Sequence, residues 1–371
     1  VDLFTLDRTF LRDKVIDQYI SLIWTERYTE AGDMQIVLPS TAANRAKLAE
    51  GTLVGLLGSD EPMIIETQST EEGLLTCKAN TLETFFNERE IWVDTDPDVT
   101  EWVLRGAPGD VMNYIVQNQL VAGTYVNDEA LQIGGDLNAI PYLVVDPDSY
   151  MDGDAISFRI AVGPVYDALL DIAKTYKLGI KVWLSRADAF GYELSWKVYT
   201  GEDRTSDQLE NNLVQFSSQL DSLTGVKELR SLADFKTVAY VFPPDWSTST
   251  PAAEEYAPGT DPAAVGFDRR IIVDRATDIT VDQVDPAVAG VTLASLLTQK
   301  AKDLLANNNY TKIVDGEVVP QAQFKYGRDY NLGDIIELKG QDNTTQHAQI
   351  TEYIRVKDAT GERAYPTVSV V

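Results

Sequence analysis

Apolar and polar residues alternate through much of this chain, and a period of two predicts strands. Tyr19 to Tyr28 is rich in β-branched and aromatic residues, and residues 3–38 as a whole read as strand-forming. Ala31-Gly32-Asp33 supplies turn chemistry, after which Met34–Leu38 returns as a strand stopped by Pro39. Ser40 or Thr41 is placed to cap a short helix from Ala42 to Glu50, closed by Gly51. Strands are predicted at Leu53–Leu57, Met63–Thr67 and Leu74–Ala79. A helix opened by Asn80 or Thr81 then runs through Asn87.

The pattern breaks at Asp94-Thr95-Asp96-Pro97-Asp98. Beyond it a strand (Val99–Leu104) and a helix near Asp110–Leu120 are expected, followed by an irregular stretch at 121–155. Ile156–Val162 reads as a strand. Gly163-Pro164 then introduces an amphipathic helix, Val165 to Lys177, with Leu169, Ile172, Ala173 and Tyr176 at helical spacing. Ile180–Leu184 and Tyr192–Tyr199 alternate as a hairpin. A third part opens near Leu213–Phe216, with strands at Val226–Leu232 and Phe235–Phe242. The proline-rich stretch from Pro243 to Gly266 reads as a long loop, a kind that is usually functional or mobile. A strand at Arg269–Val273, a helix at Leu293–Leu305 behind Thr292, and strands at Gln321–Phe324, Ile335–Lys339, Ala348–Arg355 and Thr367–Val371 complete the chain. The expected fold class is α+β, β-dominated and multi-domain, with divisions at 1–97, 98–205 and 206–371.

Charge changes this picture. The 371 residues carry 58 Asp and Glu against 31 Lys and Arg, a net charge of −27. Such a surface repels phosphate backbones, because nucleic-acid affinity depends on Lys and Arg displacing condensed counterions. It argues equally against docking on an anionic membrane leaflet. Acidity serves solubility in any protein, and it also suits a wall that DNA must pass without sticking. The 44% hydrophobic content is ample for several cores. One cysteine, Cys77, leaves no intrachain disulfide and fits a small buried apolar group. No run approaches the ~18 apolar residues of a membrane helix, and Val1-Asp2-Leu3-Phe4 does not open a secretory signal. A soluble protein made and assembled in the cytoplasm is expected.

Most catalytic designs are closed by a single histidine, His347, expected at a solvated strand edge. There is no HExxH, no Cys/His metal spacing, no GxSxG elbow and no Gly-rich phosphate loop. A wall hydrolase of the Cys–His kind would rest on Cys77 with His347 alone. A glycosidase needs two suitably separated acids, which 58 carboxylates supply by chance. The run from Asp146 to Asp154 (DPDSYMDGD) invites calcium, yet it lacks the closing glutamate of a helix–loop–helix site, and a solvated acidic turn fits better. Phe10, Trp24, Trp92, Trp102, Trp183 and Trp196 are expected in cores, with sugar stacking the alternative for any exposed one. The sequence nominates no catalytic, cofactor-binding or metal-binding residue, and no cofactor.

Several blocks resemble the siphophage minor tail protein family that forms the baseplate hub in phages of actinobacteria. They are Leu3-Phe4-Thr5-Leu6-Asp7, Ile16–Tyr19 with Ser21–Tyr28, and Gly32–Pro39. Leu229-Arg230-Ser231 with Asp234–Val241, Tyr326–Ile336, Ile350–Tyr353 and Pro366-Thr367 follow in order. The Arg328–Asp334 block is turn chemistry feeding a strand, with Gly333 permitting positive φ. The resemblance implies a non-enzymatic tail-tip subunit of the virion. Its first and third parts would be tube-like β domains of barrel or sandwich form (1–97 and 206–371), with an α+β insertion at 98–205. It further implies a homotrimeric ring joining the distal tail protein to the central tip, beside other minor tail or fibre proteins. The tape-measure protein and the phage DNA would pass its lumen without specific binding. A tail-associated glycosidase and a host-glycan-binding module are the alternatives.

Overall fold

Strand pairing between the two ends of the chain organises the architecture. A computed structural model describes residues 2–91, 101–123, 139–187, 191–217, 219, 222–243, 250–277, 293–308, 310–319, 324–340 and 345–370. The N-terminal strands are β1 (Leu3–Leu6), β2 (Arg12–Ile16), β3 (Ser21–Arg27), β4 (Asp33–Pro39), β5 (Leu53–Leu56), β6 (Met63–Glu71) and β7 (Leu74–Thr81). Helix α1 (Ala42–Lys47) lies between β4 and β5, and its cap is Thr41, whose Oγ1 accepts the Asn44 N–H at 3.1 Å. A 3-10 helix, Leu82–Glu88, replaces the expected α-helix after β7.

Next come β8 (Glu90–Ile91), β9 (Glu101–Gly106) and α2 (Pro108–Ile115), which continues as a π-helical stretch, Val116–Val121. Within the stretch expected to be irregular, β10 (Leu143–Val145) forms by pairing. Strands β11 (Ile156–Ala161) and β12 (Gly163–Pro164), helix α3 (Val165–Tyr176), and strands β13 (Gly179–Arg186), β14 (Tyr192–Tyr199) and β15 (Gln215–Ser217) follow. The remainder comprises β16 (Leu223–Ser231), β17 (Val238–Phe242), β18 (Ala253–Tyr256), β19 (Ile271–Arg275), α4 (Leu293–Asn307), β20 (Thr311–Val318), β21 (Ile335–Lys339), β22 (Thr345–Asp358) and β23 (Gly361–Val370).

The chain forms two compact units, Val1–Thr224 with Glu317–Val371, and Gly225–Gly316. The first holds an eleven-stranded sheet in the order β15-β21-β22-β3-β4-β7-β6-β5-β1-β2, with β23 also on β22. Its central seam is antiparallel β3 against β22, with Trp24 opposite Arg355 and Glu26 opposite Tyr353. On β4 the period of two turns Met34, Ile36 and Leu38 inward, where they pack with Trp24, Leu75 and Cys77. A second core draws Phe4, Leu53 and Phe86 from residues 1–97 and Met112, Leu169 and Trp196 from 98–205. The sequence break near 97 is therefore not a break in packing, although residues 92–100 themselves lie outside the described residues.

In the second unit β17 is flanked by antiparallel β18 and parallel β19. Leu297, Ala301 and Leu305 of α4 pack on Ala239, Val241 and Ala253. The expected 243–266 loop therefore contains a strand: Ala253–Tyr256 takes the free edge of β17. Residues 244–249, and 321–323 of the expected Gln321–Phe324 strand, lie outside the described residues. The fold is strand-dominated α+β with several sheets.

Candidate functional site

A buried network of charge sits beside the β3–β22 seam. Residues two apart on a strand share a face, so Glu26 of β3 and Arg355 of β22 meet diagonally across the ladder. Arg355 Nη1 donates to Glu26 Oε1, Nη2 donates to the Gly58 carbonyl at 2.9 Å, and the Tyr326 hydroxyl donates to Glu26 Oε2 at 3.1 Å. The Tyr326 and Tyr353 rings stack with centroids 3.8 Å apart. The Arg355 guanidinium lies 5.0 Å from the Tyr353 centroid and 5.8 Å from that of Tyr326. Carboxylate, guanidinium and aromatic faces together satisfy a charge that water barely reaches, since Glu26 is 3% exposed.

Two more glutamates enter from other elements. Glu61 precedes β6 and is 4% exposed. Burial pushes its carboxyl well above the usual range and the charge of Glu26 adds to the rise, while Lys181 offsets part of it. Glu83, on the 3-10 helix, accepts the Thr81 hydroxyl at 2.8 Å on Oε1, while its Oε2 completes no hydrogen bond. Burial raises its pKa to about 7, against partial relief from its own backbone amide, the Thr81 hydroxyl, the Val182 amide and Lys181. Burial likewise holds the Tyr199 and Tyr326 phenols far above their ordinary range.

This network opens on a cleft of about 340 Å³ lined by Asp60, Glu61, Lys181, Trp183, Tyr199 and Tyr326, with Glu202 and Asp334 among its other walls. The cleft's cations are matched. Lys181 Nζ lies 3.8 Å from Asp60 Oδ2, and Lys197 Nζ lies 3.7 Å from Asp146 Oδ2. The adjoining Arg204 bridges Asp334 and Glu202, both at 2.6 Å.

Asp146, at the head of the calcium candidate, is committed inside the protein. Its Oδ1 accepts the Asp148 N–H at 2.8 Å, and its Oδ2 accepts Trp183 Nε1 at 3.0 Å. Among the described residues no group of three or more His, Cys, Asp or Glu gathers to hold a metal ion. Asp146 thus heads an Asx turn anchored to a tryptophan, and it is buried rather than solvated.

His347 lies within β22 opposite Glu337, with Nε2 3.7 Å from Asp207 Oδ2, and Cys77 is buried in the sheet core far from it in the strand order. Phe10, Trp24, Trp102 and Trp196 are core residues, and Trp92 lies outside the described residues. The Arg328–Asp334 turn is structural. Asp334 accepts N–H groups of Glu202 and Asn331 at 2.8 Å, and Gly333 has φ +87° beneath the Tyr28 ring. Sequence reasoning missed Glu26, Glu61 and Glu83, because nothing in their spacing marks three glutamates among so many acids.

The sequence matches the Siphovirus ReqiPepy6 Gp37-like protein family over residues 2–368. No curated protein sequence matches it. Among solved structures, the chain is similar to the 43 kDa tail protein of prophage MuSo2 from Shewanella oneidensis, with 11% identity and a TM-score of 0.55, covering 100% of this chain and 98% of that one. It is similar to a tail protein from Neisseria meningitidis MC58 at 12% identity and TM-score 0.52, covering 99% and 95%. Prophage tail protein gp18 from Listeria monocytogenes EGD-e gives 10% identity and TM-score 0.52, covering 100% and 94%. At such identities the likeness is one of fold. The chain belongs to the Siphovirus ReqiPepy6 Gp37-like family and has the fold of phage tail proteins.

Proposed function

We propose that this chain is a structural, non-enzymatic subunit of a siphophage baseplate. Three copies close into a ring at the tail tip, joining the distal tail protein to the central tip and surrounding the channel. The observation that carries the reading is the end-to-end correspondence with a phage tail protein, 100% of one chain on 98% of the other. Sequence membership over residues 2–368 supports it independently. The net charge of −27 suits a wall past which tape-measure protein and genome slide, since like charge discourages adhesion. A closed ring of identical copies uses heterologous contacts, each copy offering two different surfaces to its neighbours.

Native mass spectrometry of the purified chain across a concentration series tests the assembly. A trimer whose population grows with concentration is expected, and a strict monomer at every concentration, alone and with its tail partners, contradicts the ring. The hydrolase alternative is tested on the same preparation by incubation with purified host cell wall, where release of reducing sugar would overturn the non-enzymatic reading.

A further inference from the structure

Glu61 is the one glutamate of the cleft without an ion-pair partner among the described residues. Among the described residues no hydrogen bond or ion pair reaches its carboxylate, although it is 4% exposed and lines the cleft wall. The other carboxylates there are engaged: Asp60 with Lys181, and Glu202 and Asp334 with Arg204. Lys197 is drawn to Asp146, and Lys181, 3.8 Å from Asp60, offsets the burial of Glu61 only in part and makes no ion pair with it. A buried carboxylate without a partner is costly and is met by a cation or a proton.

The same protein shows how it satisfies such a group. Next to Glu61, Glu26 is met by the Arg355 guanidinium, which lies against the faces of Tyr326 and Tyr353. The cleft offers Glu61 the same ingredients from its lining, with Trp183, Tyr199 and Tyr326 as aromatic walls. Lys181 places an ammonium 5.6 Å from the Trp183 centroid and 5.7 Å from that of Tyr199, but among the described residues no guanidinium pairs with Glu61. A planar guanidinium forms forked bonds to a carboxylate and stacks on aromatic faces, which an ammonium does less well. At about 340 Å³ the cleft has room for one long side chain rather than a larger body.

We propose that this cleft is a receptor for an arginine side chain presented by a neighbouring protein, with Glu61 as its carboxylate anchor. The proposal goes beyond the ring and does not depend on it, because the site lies within one chain and is tested with a small probe. The probe is N-acetyl-arginine amide, titrated into the full-length wild-type chain by calorimetry and by tryptophan fluorescence. Its uncharged isostere, N-acetyl-citrulline amide, is the control. Saturable binding of the arginine probe at least tenfold tighter than the citrulline probe is expected, with that preference lost in Glu61→Gln. Equal binding of the two probes, binding of neither, or an arginine preference that survives in folded Glu61→Gln overturns the proposal. In the second of these cases Glu61 simply keeps a proton. The two-probe comparison on wild-type protein stands even where the variant fails to fold.

Discussion

Replacing Glu83 with glutamine is expected to flatten the pH dependence of stability in the first compact unit. Glu83 is buried at 1% exposure, and its folded pKa of about 7 stands against an ordinary 4.5. The unfolded chain therefore gives up this proton first as pH rises. Below about pH 4.5 both states hold the proton and the group costs nothing. Between about pH 4.5 and about pH 7 the unfolded state ionises while the folded state does not, so stability falls. Above about pH 7 both are ionised and the loss stays constant. A gap of roughly 2–3 pH units at 1.36 kcal/mol each sets the loss at ~3 kcal/mol. The assay is urea unfolding of wild type and Glu83→Gln, followed by tryptophan fluorescence, at about pH 4 and about pH 8. Relative to the variant, the wild type is expected to lose ~3 kcal/mol between the two conditions. A wild-type-to-variant difference that is the same at both pH values would refute the reasoning, because the glutamine keeps the shape and only the titration is removed.

Other outcomes follow from single contacts. Gly201→Ala would place a Cβ 1.9 Å from the Gly333 backbone, whereas one at Gly163 meets nothing within 4 Å. Gly201→Ala is expected to cost roughly 3 kcal/mol or more in urea unfolding and Gly163→Ala less than about 1 kcal/mol. Asp334→Ala leaves Arg204, 12% exposed, with Glu202 as its one carboxylate partner, beside two orphaned backbone N–H groups. A loss of about 3–5 kcal/mol is expected by the same measurement. Burial raises the Cys77 thiol to about 11, so native protein is expected to resist a thiol reagent at about pH 8 that labels it in urea. Since Asp146 is satisfied by Asp148, Trp183 and Lys197, millimolar calcium is expected to leave the thermal midpoint unchanged; a rise of several degrees would restore the ion to that turn.

Local structure was legible wherever one residue's chemistry decides it. Alternation on β4 put Met34, Ile36 and Leu38 on one face, Thr41 capped α1, and Gly333 took the positive φ its turn requires. Elements that exist only because a distant strand accepts them were not legible. Ala253–Tyr256 sits among prolines and carries two glutamates, and it is a strand because β17 offers an edge. No strand is expected at Thr311–Val318, yet β20 forms there by pairing with β16. The charge network is the extreme case. Glu26 is joined to Arg355 across 329 positions, and Glu61 and Glu83 arrive from separate loops and helices. Strand periodicity marks Glu26 merely as one polar residue in an apolar strand, and burial of the other two follows from packing that no local window contains.

The most direct test is a cryo-electron-microscopy reconstruction of the intact tail tip. Three copies around one axis, with acidic side chains turned toward the central channel, are expected. The chain seen instead as an isolated peripheral appendage, or in a ring whose inner wall is basic, would contradict the account.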